Sequence, residues 1–267
     1  MSISNDWKVP GTGAEIYETV FVPAMMGEWA PRVIALANPR PGENVLDVAC
    51  GTGALTRVVA QSIGPSGRVV GLDLIPEMLS EARNIPLDPS NAVPIEWREG
   101  DVNVILFENE TFDIVFCNFG LMFFPNRVAA LKEMRRVLKL DGRLALAVWG
   151  SIAKCPGQMA MKESWKRHFT EDAGLFDAQH SLGDPETVLS LIHDAGFRDV
   201  SVQAVMGVVR LPSPGHLARS YGAMAGIQAD EKNRTEVIDE VSAALQFYVG
   251  VEGLEYPIEA ILAKARK

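Results

Sequence analysis

The sequence predicts an α/β fold: one doubly wound sheet of short apolar strands wrapped by helices. Three observations predict it. The apolar run Val45-Leu46-Asp47-Val48 ends in Ala49-Cys50-Gly51-Thr52-Gly53, and a helical pattern from Ala54 to Ala60 follows at once. Strand, glycine turn and helix in that order make the first unit of such a sheet, with a ligand at the strand's carboxyl end. A second apolar strand, Arg68 to Leu72, closes on Asp73, which lies 73 − 53 = 20 residues beyond Gly53. That is the spacing of an acid that accepts hydrogen bonds from ribose hydroxyls. Finally, short apolar strands go on alternating with helical segments.

The elements follow in order. Residues 1–13 are polar, carry Pro10, Gly11 and Gly13, and read as a mobile tail or loop. From Ala14 to Ala37 apolar residues recur at helical spacing, and Pro23 and Pro31 are expected to break the stretch into short helices. Pro39-Arg40-Pro41-Gly42 turns the chain into the first strand. Leu74 to Arg83 reads as a helix with Pro76 in its first turn, and the proline-rich residues 84–94 as a loop. The third strand starts at Ile95 and ends in Gly100-Asp101. Thr111 to Phe124 holds the fourth strand and the turn behind it. Arg127 to Leu138 is an amphipathic helix, Lys139 to Arg143 a helix stop and tight turn, and Leu144 to Trp149 the fifth strand. Residues 156–172 read as a helix. Asp184 caps another, opened by Pro185. The sixth strand runs from Val200 to Leu211 and the last from Leu254 to Lys264. Between them, residues 213–250 read as an inserted pair of helices, the second from about Lys232 to Val249.

Asp47-x-Ala49-Cys50-Gly51-x-Gly53 and Gly71-Leu72-Asp73 together resemble the first two motifs of class I S-adenosylmethionine (SAM)-dependent methyltransferases. The likeness is to their small-molecule branch, which includes ubiquinone/menaquinone biosynthesis methyltransferases. It covers residues 40 to 150 well and the remainder loosely. A nicotinamide- or flavin-dinucleotide site is the competing reading, but there a third glycine tightens the helix, and here Thr56 stands in its place. Asp47 also suits a cationic group better than a pyrophosphate.

The resemblance implies a Rossmann-like sheet of seven strands in the order 3-2-1-4-5-7-6, the last antiparallel. It implies SAM as cofactor, with Ala49, Gly51 and Gly53 forming its turn and Asp73 on the ribose. Leu74 and Met78 would flank the adenosine. Asp101 would accept from the adenine amino group and Val102 N–H would reach a ring nitrogen. Asn118 and Phe119 would border the methionine part. A helical cap, 14–37, would close over it with Tyr17. Met122, Phe123 and Trp149 would line the acceptor, and Tyr221, on residues 213–250, would help cover it as a lid.

SAM carries its own positive charge and leaving group, so alignment of acceptor, methyl and sulfur is the protein's main task. No metal is needed. An alcohol acceptor needs a base, and His168, His180 and His216 are candidates, while His193 falls away from the expected pocket. The acceptor is then a small, partly apolar molecule methylated on O, N or C. A SAM-fold protein that binds or cyclises without methyl transfer, or an oxidoreductase, are the alternatives.

Composition narrows the classes. Hydrophobic content of 48% and charged content of 22% are values of a globular chain. A net charge of −9 argues against nucleic acid as partner. Cys50, Cys117 and Cys155 are too sparse for a disulfide framework or zinc site. No run is long enough to span a membrane, and no apolar signal core opens the sequence. A cytoplasmic monomer or homodimer is expected.

Overall fold

The computed structural model describes residues 7–87, 92–169 and 174–267. Its centre is one sheet. β1 (Asn44–Val48), β2 (Arg68–Asp73), β3 (Ile95–Glu99), β4 (Phe112–Asn118), β5 (Leu138–Trp149), β6 (Arg198–Leu211) and β8 (Gly253–Arg266) lie in the order 3-2-1-4-5-8-6. β8 is antiparallel to both its neighbours, β5 and β6. This is the expected order with one addition: β7, only Val249–Gly250, hairpins onto the start of β8. Gly253 makes that turn at φ +113°, where a side chain would also meet the carbonyl oxygen of Leu211.

Central strands are apolar because both faces are covered. Val45, Leu46 and Val48 on β1 and Ile114, Val115 and Phe116 on β4 have no accessible surface. Helices α3 (Ala54–Ile63), α4 (Pro76–Asn84), α5 (Arg127–Val137) and α8 (Pro185–Asp194) cover the sheet. α8 begins as expected: the Asp184 carboxylate accepts from the N–H groups of Glu186 and Thr187.

Some local expectations change. Lys139–Arg143 is not a turn before β5 but part of it. Phe112 pairs with Leu138 and the next pair is Ile114 with Arg143, so the extra residues form a bulge with Asp141 at φ +63°. The prolines do not break the N-terminal stretch. α1 (Gly13–Ile16) runs into a π-helical segment, Tyr17–Met26, that contains Pro23. A proline ring clashes with the carbonyl four residues back in an α-helix, and the wider π turn relieves that clash. The chain bends by 69° instead before α2 (Trp29–Ala37), where Pro31 falls in the first turn and has no bond to lose. Residues 7–12 form no helix or strand, yet Trp7 is buried and donates Nε1–H to Ile227 O at 2.8 Å. Residues 1–6, 88–91 and 170–173 of the expected loops and helix lie outside the described residues.

β6 and β8, at 14 residues each, are the longest strands. Trp149, the last residue of β5, pairs with Ala260, so residues 253–259 of β8 run past the sheet's carboxyl edge with only β6 and β7 beside them. Around this overhang pack α6 (Pro156–His168), α7 (Gly174–Gln179), α9 (Pro214–Met224) and α10 (Glu231–Ala244). Among the described residues no single helix is long and apolar enough to cross a membrane.

Candidate active site

The turn after β1 is held in a form few residues adopt. Ala49, Gly51 and Gly53 have φ of 54°, 56° and 84°. A side chain on Gly53 would come within 2.3 Å of the Trp97 ring. The turn is tied to β2: Asp73 accepts from Gly51 N–H at 2.7 Å and from Ile75 N–H at 2.9 Å. Phe119, just past β4, is also left-handed at φ 58°, and at Gly120 a Cβ would lie 2.6 Å from the Ala49 Cβ. The carboxyl ends of β1 and β4 therefore meet closely, with backbone bent away on each side. That divergence opens the crevice expected where strand order reverses.

A cavity of about 300 Å³ fills this crevice. Gly51, Asp73 and Leu74 lie along its β1–β2 rim, Met78 on α4, and Asp101 with Val102 beyond β3. Asn118, Phe119, Phe123 and Phe124 form the opposite wall, and Tyr17 the remaining side, its ring beside Gly51. Asp101 caps the short turn Val102–Val104, with Oδ1 accepting from Asn103 N–H at 2.8 Å. These bonds hold its carboxyl below the usual range.

The electrostatics favour a cation. None of the described lining residues is Lys, Arg or His. Asp47 is buried beneath the turn, where Thr56 Oγ1 donates to its Oδ2 at 2.5 Å. Burial, with some help from Asp73, pushes its pKa up to about 7 against the pull of that hydrogen bond. Asp73 is raised as well, chiefly by burial. Tyr17 is raised by burial and by the Glu18, Asp73 and Asp47 carboxylates around it. Asp47 Oδ1 and Asn118 Oδ1 are buried with no partner among the described residues. An ammonium or sulfonium would complement such a site, whereas a pyrophosphate would meet acids and find no base.

Other expected residues lie elsewhere. Asp47 and Gly53 shape the turn from behind, and neither they nor Met122 lines the cavity. Trp149 is buried behind Phe119, stacked on it at 3.9 Å, with Trp29 edge-on to both. Tyr221 is buried between Phe21 and Phe176, off the cavity. His168 lies on α6 facing Glu236 and Glu240 of α10, and His216 in the first turn of α9. His180 lies against the end of β5: its Nδ1 is 2.7 Å from Gly150 O.

One arrangement is absent from the sequence reading. Glu18, beside Tyr17, takes Thr52 Oγ1–H at 2.5 Å and pairs with Arg57 at 2.6 Å. Arg57 also donates to Thr52 O. The N-terminal segment is thus clamped to the glycine turn. Glu18, the one acid of the apolar segment Tyr17–Met26, facing an arginine one turn into α3, is the signal that marks it.

The model of the ubiE/COQ5 methyltransferase family matches residues 20–211. The chain belongs to the ubiE/COQ5 methyltransferase family. Like its relatives, this ubiE/COQ5 family member is a SAM-dependent methyltransferase. It is 36% identical over 204 residues to the ubiquinone/menaquinone biosynthesis C-methyltransferase UbiE of Paraburkholderia xenovorans, covering 72% of this chain and 82% of the relative. It is 31% identical over 196 residues to the demethylmenaquinone methyltransferase of Staphylococcus carnosus, covering 68% and 78%. A putative methyltransferase of Bacillus halodurans shares the fold at 22% identity, with a TM-score of 0.60 over 89% of this chain and 98% of that one. So does a phosphoethanolamine N-methyltransferase of Haemonchus contortus bound to S-adenosylhomocysteine, at 17% identity and a TM-score of 0.60, over 96% and 57%. The family match stops at Leu211, so α9, α10, β7 and β8 of this ubiE/COQ5 member lie beyond it.

Proposed function

We propose that the protein methylates a ring carbon of a small, hydroxylated aromatic acceptor of the quinol kind. The observation that carries this reading is the two-sided cavity: carboxylates along β1–β3, and Phe119, Phe123 and Phe124 on the wall beyond β4. The relatives' names, a C-methyltransferase of quinone biosynthesis and a demethylmenaquinone methyltransferase, point the same way.

In this reading SAM, when bound, supplies the methyl group on a cationic sulfur. Asp73 accepts from the ribose hydroxyls through lone pairs that Gly51 and Ile75 do not use. Asp101 and Val102 hold the adenine edge, with Leu74 and Met78 on its faces. Asn118 meets the ammonium end, Asp47 lies buried behind the turn and gains charge as the cation binds, and Tyr17 closes over it. A hydroxylated ring is already electron-rich at carbon, so the protein need only align it and accept a proton. His180 suits that last role. Gly150 O can only accept, so Nδ1 carries the hydrogen and Nε2 keeps its lone pair. Burial lowers its pKa and keeps the ring neutral. Residues 213–250 act as a cover on the acceptor side, which the burial of Leu217, Tyr221, Val237 and Val241 supports. The compartment of this reading is the cytoplasm, supported by three free thiols.

The test is incubation with SAM and 1,4-naphthohydroquinone kept reduced. Expected are release of S-adenosylhomocysteine and a product heavier by one methylene, with the new methyl on carbon by NMR. Methylation of amines with none of any hydroxylated aromatic overturns the reading.

A further inference from the structure

A second group of buried polar side chains gathers behind Tyr17. Gln158 on α6 and Tyr256 on β8 are 2% and 1% exposed, and Gln158 Oε1 and the Tyr256 hydroxyl have no hydrogen-bond partner among the described residues. Gln179 Oε1, at the end of α7, is equally without one. All three converge on Tyr221 of α9. Gln158 Nε2 lies 3.4 Å from its hydroxyl, a long contact, and Gln179 acts on the same hydroxyl. Glycine at 157 lets Tyr256 pack directly on the start of α6 beside Gln158: a Cβ there would fall 2.2 Å from Tyr256 Cζ. Phe21 and Phe176 flank Tyr221 with ring centres at 4.8 and 5.3 Å. The segment Tyr17–Met26 joins the cluster to the cavity, since Tyr17 lines the cavity and Phe21, about one turn on, packs against Tyr221.

Folded proteins leave few buried polar atoms unpaired, because each is destabilising. Here side chains from three separate elements bring theirs close to a fourth side chain, Tyr221. The set is also uniform in kind: two amides and two phenols, uncharged, against two phenyl walls. An ammonium, carboxylate or phosphate would find no counter-charge among them. A neutral flat molecule with hydroxyl or carbonyl oxygens would find donors, acceptors and ring faces.

We propose that Gln158, Gln179, Tyr221 and Tyr256 form the site that binds the ring oxygens of a neutral aromatic acceptor, with Phe21 and Phe176 against its ring. This rests on the function proposed above. The acceptor reaches the cofactor cavity past Tyr17, which stands between the two sites.

The test uses the full chain and three near-isosteric variants: Gln158→Met, Tyr221→Phe and Tyr256→Phe. KM for 1,4-naphthohydroquinone should rise about 3–10-fold in each, the effect of one neutral hydrogen bond. The Kd for SAM should stay within about twofold. The melting temperature of Tyr256→Phe should hold or rise, because an unpaired polar atom has gone, and a cooperative melt shows that each variant is folded. A wild type that methylates the probe, with variants that melt higher yet keep its KM, sinks this inference alone: the cluster is then a flaw of the interior. A wild type that neither methylates the probe nor binds it in the presence of S-adenosylhomocysteine, by calorimetry, sinks this inference and the proposed function together.

Discussion

Asp47 holds a proton that its ligand should displace. Its folded pKa of about 7 lies above the ordinary aspartate value, so between the two the folded ligand-free protein binds more protons than the unfolded chain. That part of the stability is present at low pH and falls as pH rises toward 7. A cation beside Asp47 reverses the preference, because it favours the carboxylate. SAM binding should therefore tighten as pH rises from 6 to 8, by up to about tenfold per unit below the pKa, with release of a proton. Calorimetry in buffers of different ionisation heat reads that proton directly. Asp47→Asn should flatten the dependence, and an unchanged slope in that variant removes Asp47 from the binding site. Asp73→Ala should weaken SAM binding by ~1.5–3 kcal/mol, the range for a hydrogen bond to a charged group. Asp101→Ala should weaken it less, because Val102 N–H stays in place. Equal losses in titration would contradict these assignments.

Among the elements, the π-helical segment and the glycine turn behave as one part. Glu18, Thr52 and Arg57 join them, and both charged side chains are mostly buried. Glu18→Gln should lower the unfolding free energy by about 1–3 kcal/mol and loosen Tyr17 from the turn. Urea unfolding measures the first, and faster hydrogen exchange in residues 13–26 the second; neither change would mean that the segment holds itself. This clamp also shows where the sequence ceases to be legible. The turn and the positions of Asp73 and Asp101 on the cavity were readable because they depend on spacing within a strand–turn–helix unit. Glu18 and Arg57 are 39 residues apart and meet only across packed elements. Trp7 was hidden for the same reason: its partner is 220 residues away, and its neighbours in the chain are polar. The bulge in β5 was missed because Lys139 to Arg143 carries every local mark of a turn, yet the bonds it makes are set by β4.

The whole molecule divides by task. β1 to β4 carry the proposed cofactor cavity, while the β6–β8 overhang and the helices around it carry the proposed acceptor site. Strand order was legible from the family resemblance, but the overhang was not, because its length depends on pairing between β6 and β8 rather than on either strand's pattern. One surface contact helps to hold the second half together. Glu240 on α10 takes Ser164 Oγ–H and pairs with Arg167 and His168 of α6. Arg167 above all pulls its pKa down to about 2. A carboxylate with a depressed pKa lends stability above its ordinary value, and that is lost as pH falls toward 2. Glu240→Gln should speed hydrogen exchange in α10 without changing SAM affinity. Faster exchange across β1 to β4 as well would show that the halves are not separable.

The place of β8 has a consequence for how the chain is made. β8 follows β6 in sequence but sits between β5 and β6 in the sheet. On the ribosome, every residue of β1 to β5 emerges before it, and so does β6. The cofactor half can close while synthesis continues, but β5 and β6 each keep a bare edge until residues 253–266 appear. Bare edges invite pairing with other nascent chains. A chain stalled before residue 253 should thus hold a formed crevice beyond β1 and β4 and still aggregate, and β8 is the strand that makes the protein safe.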